Sequence, residues 1–304
     1  MQSSINVHGV DIRIEGRLIR IARLEREKYE VLTEPESVLE GLRNSGARID
    51  LFTFVQALTE TQPKYTYPLE WDNLAVLPVS TFDEWYSRQI RFAPRGRIRQ
   101  AEKKGVTVRE VPFDDSLIRG IWNVYNESPI CQGKRSRHYG SDLQTVRKKE
   151  ATFPDKSVFV GAFLGGEMIG FLRMVVDELK KQARLIEFMS MVRHRDKCPS
   201  NALIAQAVRS CAERGVHFLI YERFAYGKKA ADGLSQFKEV NGFGRVDIPR
   251  YYVPLTYFGS LAFRVGLHRN LAERLPATLG ESIRQVRSAL YRWRFRHVLD
   301  TSRS

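Results

Sequence analysis

Residues 157–177 have the sequence SVFVGAFLGGEMIGFLRMVVD and open the stretch that decides the fold. Apolar and small residues lie on both sides of Gly165-Gly166, and glycine freely adopts the positive φ of a two-residue hairpin turn. The pattern therefore predicts two antiparallel strands. Residues 184–192 (RLIEFMSMV) are too apolar and too few for an amphipathic surface helix, so they predict a central strand buried on both faces.

A helix and a second buried strand follow that central strand. Apolar side chains at three- and four-residue spacing predict a helix from Asn201 to Arg214, with Ser200 as its N-cap and Gly215 as its stop. Residues 216–224 (VHFLIYERF) then predict a second buried strand. Because a crossover helix joins the two strands, we expect them to be parallel.

A last helix, residues 232–240, ends at Asn241-Gly242-Phe243, and the order of elements now resembles a known family. Hairpin, buried strand, helix, buried strand and a helix ending in x-G-F resemble the acyl-CoA N-acyltransferases of the GNAT superfamily. The closer likeness is to Fem-type aminoacyltransferases and their FemAB-like relatives, and it touches roughly residues 70 to 250. Two segments carry it: residues 233–243 (GLSQFKEVNGF), similar to the family's GL-x-x-FK-x-x-x-GF ending, and residues 94–111 (PRGRIRQAEKKGVTVREV), similar to its R-x-x-IRKA-x-KxGV segment.

The resemblance implies an α/β fold with a mixed α+β sheet, built as tandem GNAT-like halves. We expect an N-terminal half at residues 1–155 and a C-terminal half at residues 156–255, the second carrying the core motifs. The residues also indicate α/β structure in the first half, because alternating runs around Glu15-Gly16 predict a hairpin and Pro35 predicts a helix start. Residues 256–304 contain helical patterns and many basic residues, which predict a basic helical C-terminal extension.

Composition bounds the class of partner. The 304 residues include 49 Lys and Arg against 35 Asp and Glu, so the net charge of +14 favours RNA, a phosphorylated donor or substrate, or an acidic lipid surface, unless the protein is simply basic. Three cysteines without paired spacing predict neither disulfides nor a metal site. The chain has no apolar stretch long enough to span a bilayer, so we expect a cytoplasmic protein, with peripheral membrane contact as an open alternative.

The loop at residues 129–140 is rich in side chains that can bind or transfer protons, and it has too few apolar residues to be core. In GNAT enzymes the loop between the first two helices lines the acceptor pocket, so the resemblance implies that role here. An ordinary surface loop is the alternative. The implied acceptor-binding residues, counting one just before the loop, are Glu127, Gln132, Arg135, His138 and Tyr139.

The donor region follows from the same resemblance. An N-acyltransferase of this superfamily needs an oxyanion donor, expected to be a backbone N–H on the central strand around Met189 to Met191. The usual donor diphosphate loop, R/Q-x-x-G-x-G/A, aligns with Arg195, Cys198 and Ser200, so both glycines are absent and tight CoA binding is weakened. Basic residues still make the helix start attractive to an anion. The implied donor-binding residues are Met189, Met191, Arg193, Arg195, Ser200 and Asn201.

The catalytic candidates are Lys238, Tyr221 and Glu222. Counting back from Gly242-Phe243, Lys238 stands where many GNAT enzymes carry a tyrosine general acid. The FemAB-like resemblance implies a lysine there, which would stabilise negative charge or hold a phosphate. An exposed lysine at a helix end is the alternative. Tyr221 and Glu222, at the end of the second parallel strand, are the next candidates for proton transfer.

The resemblance implies an N-acyltransferase that uses an acyl-CoA or an aminoacyl-tRNA as donor. The expected acceptor is an amine on a small molecule or a cell-wall precursor, with no metal involved. One alternative is an inactive adaptor that binds RNA or an anionic membrane through its basic segments, among them residues 88–109. Another is a scaffold that forms a homodimer through its C-terminal helices, where residues 283–296 predict a basic amphipathic helix.

Overall fold

The computed structural model describes residues 3–27, 30, 32–58, 60–131, 134–177, 181–225, 233–269 and 289–290. Its strands are β1 (Ser3–Val7), β2 (Val10–Glu15), β3 (Ile21–Leu24), β4 (Leu51–Val55), β5 (Leu69–Pro78), β6 (Thr107–Val111), β7 (Ile130–Cys131), β8 (Lys134–Arg135), β9 (Ser157–Leu164), β10 (Glu167–Val176), β11 (Gln182–Ser190), β12 (Phe218–Arg223) and β13 (Gly244–Pro254).

The α-helices are α1 (Pro35–Asn44), α2 (Phe82–Glu84), α3 (Phe92–Lys103), α4 (Asp115–Asn126), α5 (Leu143–Glu150), α6 (Pro199–Glu213), α7 (Gly233–Val240) and α8 (Tyr257–Arg264). A π-helical turn, Trp85–Gln89, follows α2, and 3₁₀ turns occupy Pro154–Lys156 and Val192–Lys197. Asp114 and Asp142 cap α4 and α5, each accepting a hydrogen bond from the backbone N–H three residues on.

The chain forms two compact units that are interleaved along the sequence. The described residues of the first unit fall within Met1–Leu74, Arg223–Ala230 and Arg245–Leu275, and those of the second fall within Ala75–Glu222, Ala231–Gly244 and Pro276–Ser304. This division follows packing. The expected halves at 1–155 and 156–255 came from the resemblance, and their boundaries stay a prediction.

The second unit contains the stretch that the sequence analysis began with. Its strand order is β5-β12-β11-β10-β9-β6, in which β9, β10 and β11 are antiparallel and β12 is parallel to β11. The turn between β9 and β10 is Gly165-Gly166, both at positive φ (55° and 89°), which confirms the predicted hairpin. Helix α4 packs on β10 through Tyr125 and Phe171, while α6 packs on β10 through Cys211 and Met174.

The first unit repeats the same succession of elements. Its strand order is β1-β2-β3-β4-β13-β5, with β1, β2 and β3 antiparallel and β4 parallel to β3. Helix α1 lies between β3 and β4 in sequence, as α6 lies between β11 and β12. The core of this unit includes Ile12, Leu39, Phe52, Phe54 and Tyr251. Three antiparallel strands, a helix and a parallel strand therefore occur twice, which confirms the mixed α/β fold with tandem GNAT-like halves.

One predicted helix start differs from the structure, one strand was not predicted, and one predicted helix lies almost entirely outside the described residues. Helix α6 begins at Pro199 with Cys198 at its N-cap, so Ser200 lies inside the first turn, because proline is favoured at the first helical position. Strand β13 was not predicted, since Pro249 and Pro254 interrupt the strand signal. In the C-terminal extension α8 is present, whereas the predicted helix at residues 283–296 lies outside the described residues apart from Ala289 and Leu290, which are helical.

Candidate functional site

The predicted parallel pair is present, and its two strands separate early. Hydrogen-bonded pairing joins β11 to β12 over three residue pairs, from Gln182 and Phe218 to Arg184 and Ile220. Strand β11 continues for six further residues to Ser190, and β12 continues for three to Arg223 without pairing to it. The two strands therefore diverge at their carboxyl ends. Open α/β sheets bind their ligands at this end of the strands.

Aromatic rings line the divergence on the α7 side. Phe188 of β11 and Tyr221 of β12 meet edge to face with ring centroids 5.6 Å apart. Phe237 of α7 lies 6.0 Å from Phe188, and Phe243 lies 5.8 Å from Tyr221. The lining next to the paired residues is therefore aromatic and apolar.

Lys238 is buried among these rings. Its relative exposure is 0%, and its Nζ lies 4.5 Å from the centroid of the Tyr221 ring, a cation–π contact. The alternative of an exposed lysine at a helix end is therefore wrong. A buried ammonium group interacts strongly with any negative charge that forms beside it, because few water molecules screen it.

Tyr221 and Glu222 end the second strand next to Lys238. Glu222 has φ of 44°, a left-handed backbone conformation that is uncommon for residues other than glycine. Such conformations cluster at functional sites, where the surrounding structure maintains them. The structure thus brings Tyr221 and Lys238 into contact, and Glu222 follows Tyr221 on β12.

Backbone N–H groups on β11 divide between its two edges. The N–H of Met191 donates to the carbonyl of Ile169 at 2.8 Å, and Met189 pairs with Phe171, so both belong to the β10 side. Because successive N–H groups along a strand point to opposite edges, those of Phe188 and Ser190 point to the edge where β12 diverges. Within the expected range of Met189 to Met191, Ser190 is therefore the residue whose N–H faces that edge.

Side chains at the start of α6 hold the helix in place. Ser200 Oγ lies 2.9 Å from Ser190 Oγ, which ties the first turn of the helix to the end of β11. Asn201 is buried, and its Nδ2 donates to Oδ1 of Asn241 at 3.3 Å. Asn241 in turn accepts a hydrogen bond from Trp85 Nε1 at its carbonyl. Asn201, an expected donor-binding residue, thus makes a buried hydrogen bond inside the unit.

The segment between β11 and α6 corresponds to the expected donor diphosphate loop. Lys104 Nζ donates to the carbonyl and carboxylate of Asp196 (2.9 and 3.2 Å), and Gln100 donates to the same carbonyl at 3.1 Å. The hydrogen bond from Lys104 lowers the pKa of Asp196. The proline at position 199 has no N–H, and both glycines are missing, so this loop lacks the backbone features that usually hold a diphosphate.

Glu127 holds the beginning of that segment. Its carboxylate accepts hydrogen bonds from the backbone N–H groups of Val192 (3.0 Å) and Arg193 (2.9 Å). The Arg193 side chain pairs with Glu167 and contacts His194, while Arg195 is exposed. Glu127, expected to bind the acceptor, therefore anchors the strand end.

A cluster of polar side chains connects the acceptor loop to β11. Lys149 Nζ lies 2.6 Å from Glu187 Oε1, donates to the Tyr125 hydroxyl at 2.8 Å and lies 3.3 Å from His138 Nε2. His138 stacks on the Tyr125 ring, with centroids 4.3 Å apart. The predicted acceptor residue His138 thus stands beside a carboxylate and an ammonium group on the sheet face that α4 covers.

The cluster continues into a fully buried ion pair. Glu150 and Arg173 have relative exposures of 0% and 1%, and Arg173 Nη1 lies 3.3 Å from Glu150 Oε2. The Tyr125 hydroxyl donates to Glu150 Oε1 at 2.9 Å, and burial next to the charges of Glu187 and Glu150 raises the pKa of Tyr125. Tyr125 therefore stays protonated across the physiological pH range.

Titration of His138 gives a testable pH dependence. Burial, followed by the charge of Lys149, lowers the pKa of His138 below the unfolded value of about 6.5. The folded state thus binds fewer protons at His138 than the unfolded state does. The contribution of this histidine to the free energy of unfolding is therefore fully present above about pH 6.5 and is lost as the pH falls. We expect His138→Gln to reduce the slope of the free energy of unfolding against pH, measured in urea between about pH 6.5 and 5. His217→Gln, at an exposed histidine of the same unit, should keep the wild-type slope, and equal slopes in all three proteins would contradict the prediction.

The other predicted residues have less defined places. Arg135 is exposed on β8, Tyr139 is half-buried, and Gln132 lies outside the described residues. On the basic helix α3, Arg95 donates a hydrogen bond to the carbonyl of Ile90, and Arg99 donates one to the Tyr86 hydroxyl. Six further neighbours of the site were not predicted from the sequence: Phe188, Tyr125, Lys149, Glu150, Arg173 and Glu187.

No protein-family model matches the sequence, and no curated protein matches it. Solved structures match over most of the chain. L-PGS from Bacillus licheniformis is 15% identical, with 87% of this chain and 88% of that chain covered and a TM-score of 0.59. The C-terminal domain of a putative lysylphosphatidylglycerol synthetase from Agrobacterium fabrum is 14% identical, covering 86% and 87% with a TM-score of 0.53. FemX is 10% identical, covering 87% and 89% with a TM-score of 0.54.

These likenesses establish the GNAT/Fem-like fold that the sequence resemblance implied. Among the described residues, no group of three or more His, Cys, Asp or Glu side chains is placed to hold a metal ion. Within the same part of the chain, every helix is too short or too polar to cross a bilayer.

Proposed function

We propose that this Fem-like GNAT fold transfers an aminoacyl group from an aminoacyl-tRNA to an amine acceptor. The observation that carries the proposal is the divergence of β11 and β12 beside buried Lys238. An activated carbonyl placed there would lie between the N–H of Ser190 on one strand and the ammonium group on the facing helix. Lysylphosphatidylglycerol, the lipid in the name of the Agrobacterium fabrum neighbour, itself carries an aminoacyl group, which agrees with aminoacyl chemistry.

The loop before α6 favours an aminoacyl-tRNA over an acyl-CoA as the donor. A coenzyme A diphosphate would meet a helix start that has Pro199 in place of an N–H donor and a loop without the usual glycines. An aminoacyl-tRNA needs no diphosphate site at this position, and the net charge of +14 favours a polyanion. The basic side chains of Lys103 and Arg97 on α3 are exposed and are the proposed phosphate contacts.

The proposed reaction is direct attack. The acceptor amine forms a bond to the ester carbonyl carbon, and the carbon–oxygen bond to the terminal ribose breaks. Ser190 N–H and Lys238 stabilise the oxyanion between these events. Glu187 accepts the proton that the amine loses, with Lys149 Nζ 2.6 Å from its Oε1 and His138 Nε2 3.9 Å from its Oε2. Tyr221 is the proposed proton donor to the departing ribose oxygen.

Donor binding tests this function without assuming the acceptor. The purified protein is mixed with charged tRNA, with the same tRNA after deacylation, and with acetyl-CoA, and binding is measured at several salt concentrations. We expect saturable binding with at least about tenfold preference for charged tRNA over both other ligands, equivalent to about 1.4 kcal/mol. Saturable binding of acetyl-CoA alone would contradict the proposal. Equal, steeply salt-dependent binding of charged and deacylated tRNA would instead support the adaptor function.

A further inference from the structure

Helix α8 and the loop between β2 and β3, both in the first unit, present an apolar surface. We call this surface the α8 patch and define it by exposed residues on the helix and its following residue, together with one at the loop tip. Scattered exposed apolar residues are ordinary, but a contiguous set on one element marks an interaction site. The members, with their relative exposures, are Leu18 (68%), Tyr257 (89%), Phe258 (37%), Leu261 (48%) and Val265 (60%).

The buried carboxylate of Asp50 holds both parts of the α8 patch. Its Oδ2 accepts a hydrogen bond from the Arg20 N–H at 2.8 Å, and its Oδ1 accepts one from the Thr256 hydroxyl at 3.1 Å. Thr256 is the N-cap of α8, because its Oγ1 accepts from the Gly259 N–H at 2.9 Å. The loop and the helix are therefore fixed by one side chain, so the patch is a preformed surface.

The opposite face of α8 packs against the unit. Ala262 is buried with Ile19 and Leu51 in one small cluster. Gly259 approaches so closely that an added Cβ would lie 1.9 Å from the carbonyl oxygen of Asp50. Because this face is fully engaged, the exposed residues on the other side are not needed for packing within the unit.

Charge around the patch selects an anionic partner. Residues 16–20 (GRLIR) and 255–269 (LTYFGSLAFRVGLHR) contain four arginines and no Asp or Glu. Arg17 and Arg264 are exposed beside Leu18 and Val265. An aromatic residue, aliphatic residues and flanking arginines on one face are the features of a helix that lies at a lipid–water interface.

We propose that the α8 patch docks this chain on an anionic membrane surface. Tyr257, Leu261, Val265 and Leu18 enter the boundary between headgroups and acyl chains, while Arg17 and Arg264 contact lipid phosphates. This inference does not rest on the proposed aminoacyl transfer, and its test measures no activity. The two can therefore fail separately.

The test is co-sedimentation of the full chain with lipid vesicles. Vesicles of phosphatidylcholine with about 30% phosphatidylglycerol are compared with vesicles of phosphatidylcholine alone, as a source of anionic surface charge. We expect binding to the anionic vesicles that weakens with salt, and at least about tenfold weaker binding for Leu261→Ser/Val265→Ser and for Arg17→Glu/Arg264→Glu. Phe92→Ser, which removes an 85% exposed aromatic residue from α3, is the matched control and should bind as wild type.

Three outcomes would overturn the proposal. One is wild-type binding by both double variants, and another is equal binding to anionic and neutral vesicles. The third is a homodimer, measured by light scattering without lipid, that Leu261→Ser/Val265→Ser dissociates while vesicle binding is absent. Thermal midpoints within about 2 °C of wild type show that the variants are folded, as expected for substitutions of exposed residues.

Discussion

Replacing Lys238 by alanine is expected to lower kcat for aminoacyl transfer by about 10²- to 10³-fold, the range found when one group that stabilises an oxyanion is removed. The reason is its position: the ammonium group is fully buried, 4.5 Å from the centre of the Tyr221 ring and beside the diverging strands. A charge held in this way needs little reorganisation when negative charge develops. Single-turnover rates with charged tRNA and a model amine acceptor provide the measurement.

A second variant separates catalysis from packing at this position. Lys238→Met keeps a long unbranched side chain among Phe188, Phe237 and Phe243 but has no charge. We expect it to be folded, to bind charged tRNA within about threefold of wild type, and to lose turnover as Lys238→Ala does. Wild-type turnover in Lys238→Met would show that the ammonium group has no catalytic role.

Replacing Arg173 by methionine is expected to destabilise the second unit by about 3–5 kcal/mol, because it removes the buried cation of Glu150. In the described part of the chain, only the half-buried Lys149, 3.5 Å from Glu150 Oε1, then remains to pair with that carboxylate. Arg173 also donates to the hydroxyl oxygens of Thr152 and Ser157, so the substitution removes several hydrogen bonds together. Urea unfolding followed by Trp fluorescence measures the change, since the buried Trp85 belongs to the same unit.

The double variant Arg173→Met/Glu150→Gln is the control for the charge itself. With the carboxylate replaced by an amide that can still accept from Tyr125, we expect at least about 2 kcal/mol of the loss to be recovered. Arg147→Met, at a half-exposed arginine paired with exposed Asp115, should cost less than about 1 kcal/mol. A double variant as unstable as Arg173→Met would show that lost packing, not an unpaired charge, causes the effect.

The sequence allows the second unit to be predicted well because its signals are local. Gly165-Gly166 specifies the hairpin, and the apolar run at residues 184–192 specifies a strand that the structure has at Gln182–Ser190. The parallel direction of β12 follows from the intervening helix. Strand β13 is different: it pairs with β4, about 200 residues away in sequence, and its prolines hide the strand pattern.

The candidate site was predictable only where one residue type stands at a recognisable position. Lys238 was found through its distance from Gly242-Phe243, whereas the cluster of Tyr125, Lys149, Glu150 and Glu187 comes from separate segments and has no local pattern. One signal was present: Arg173 interrupts the apolar run FLRMVV, and an arginine in a buried strand requires a buried carboxylate partner. Sequence alone could not say which carboxylate, because pairing across elements depends on the tertiary fold.

The carboxylate of Glu127 connects the loop at residues 129–140 to the end of β11, and this connection has a mechanical consequence. Glu127 follows α4 as its C-cap, immediately before the loop at residues 129–140. Its carboxylate accepts hydrogen bonds from the N–H groups of Val192 and Arg193, just after β11 ends. A displacement of that loop must either carry the strand terminus with it or break two charge-assisted hydrogen bonds at once. Under the proposed function, we therefore expect donor and acceptor to change each other's binding free energy through this contact.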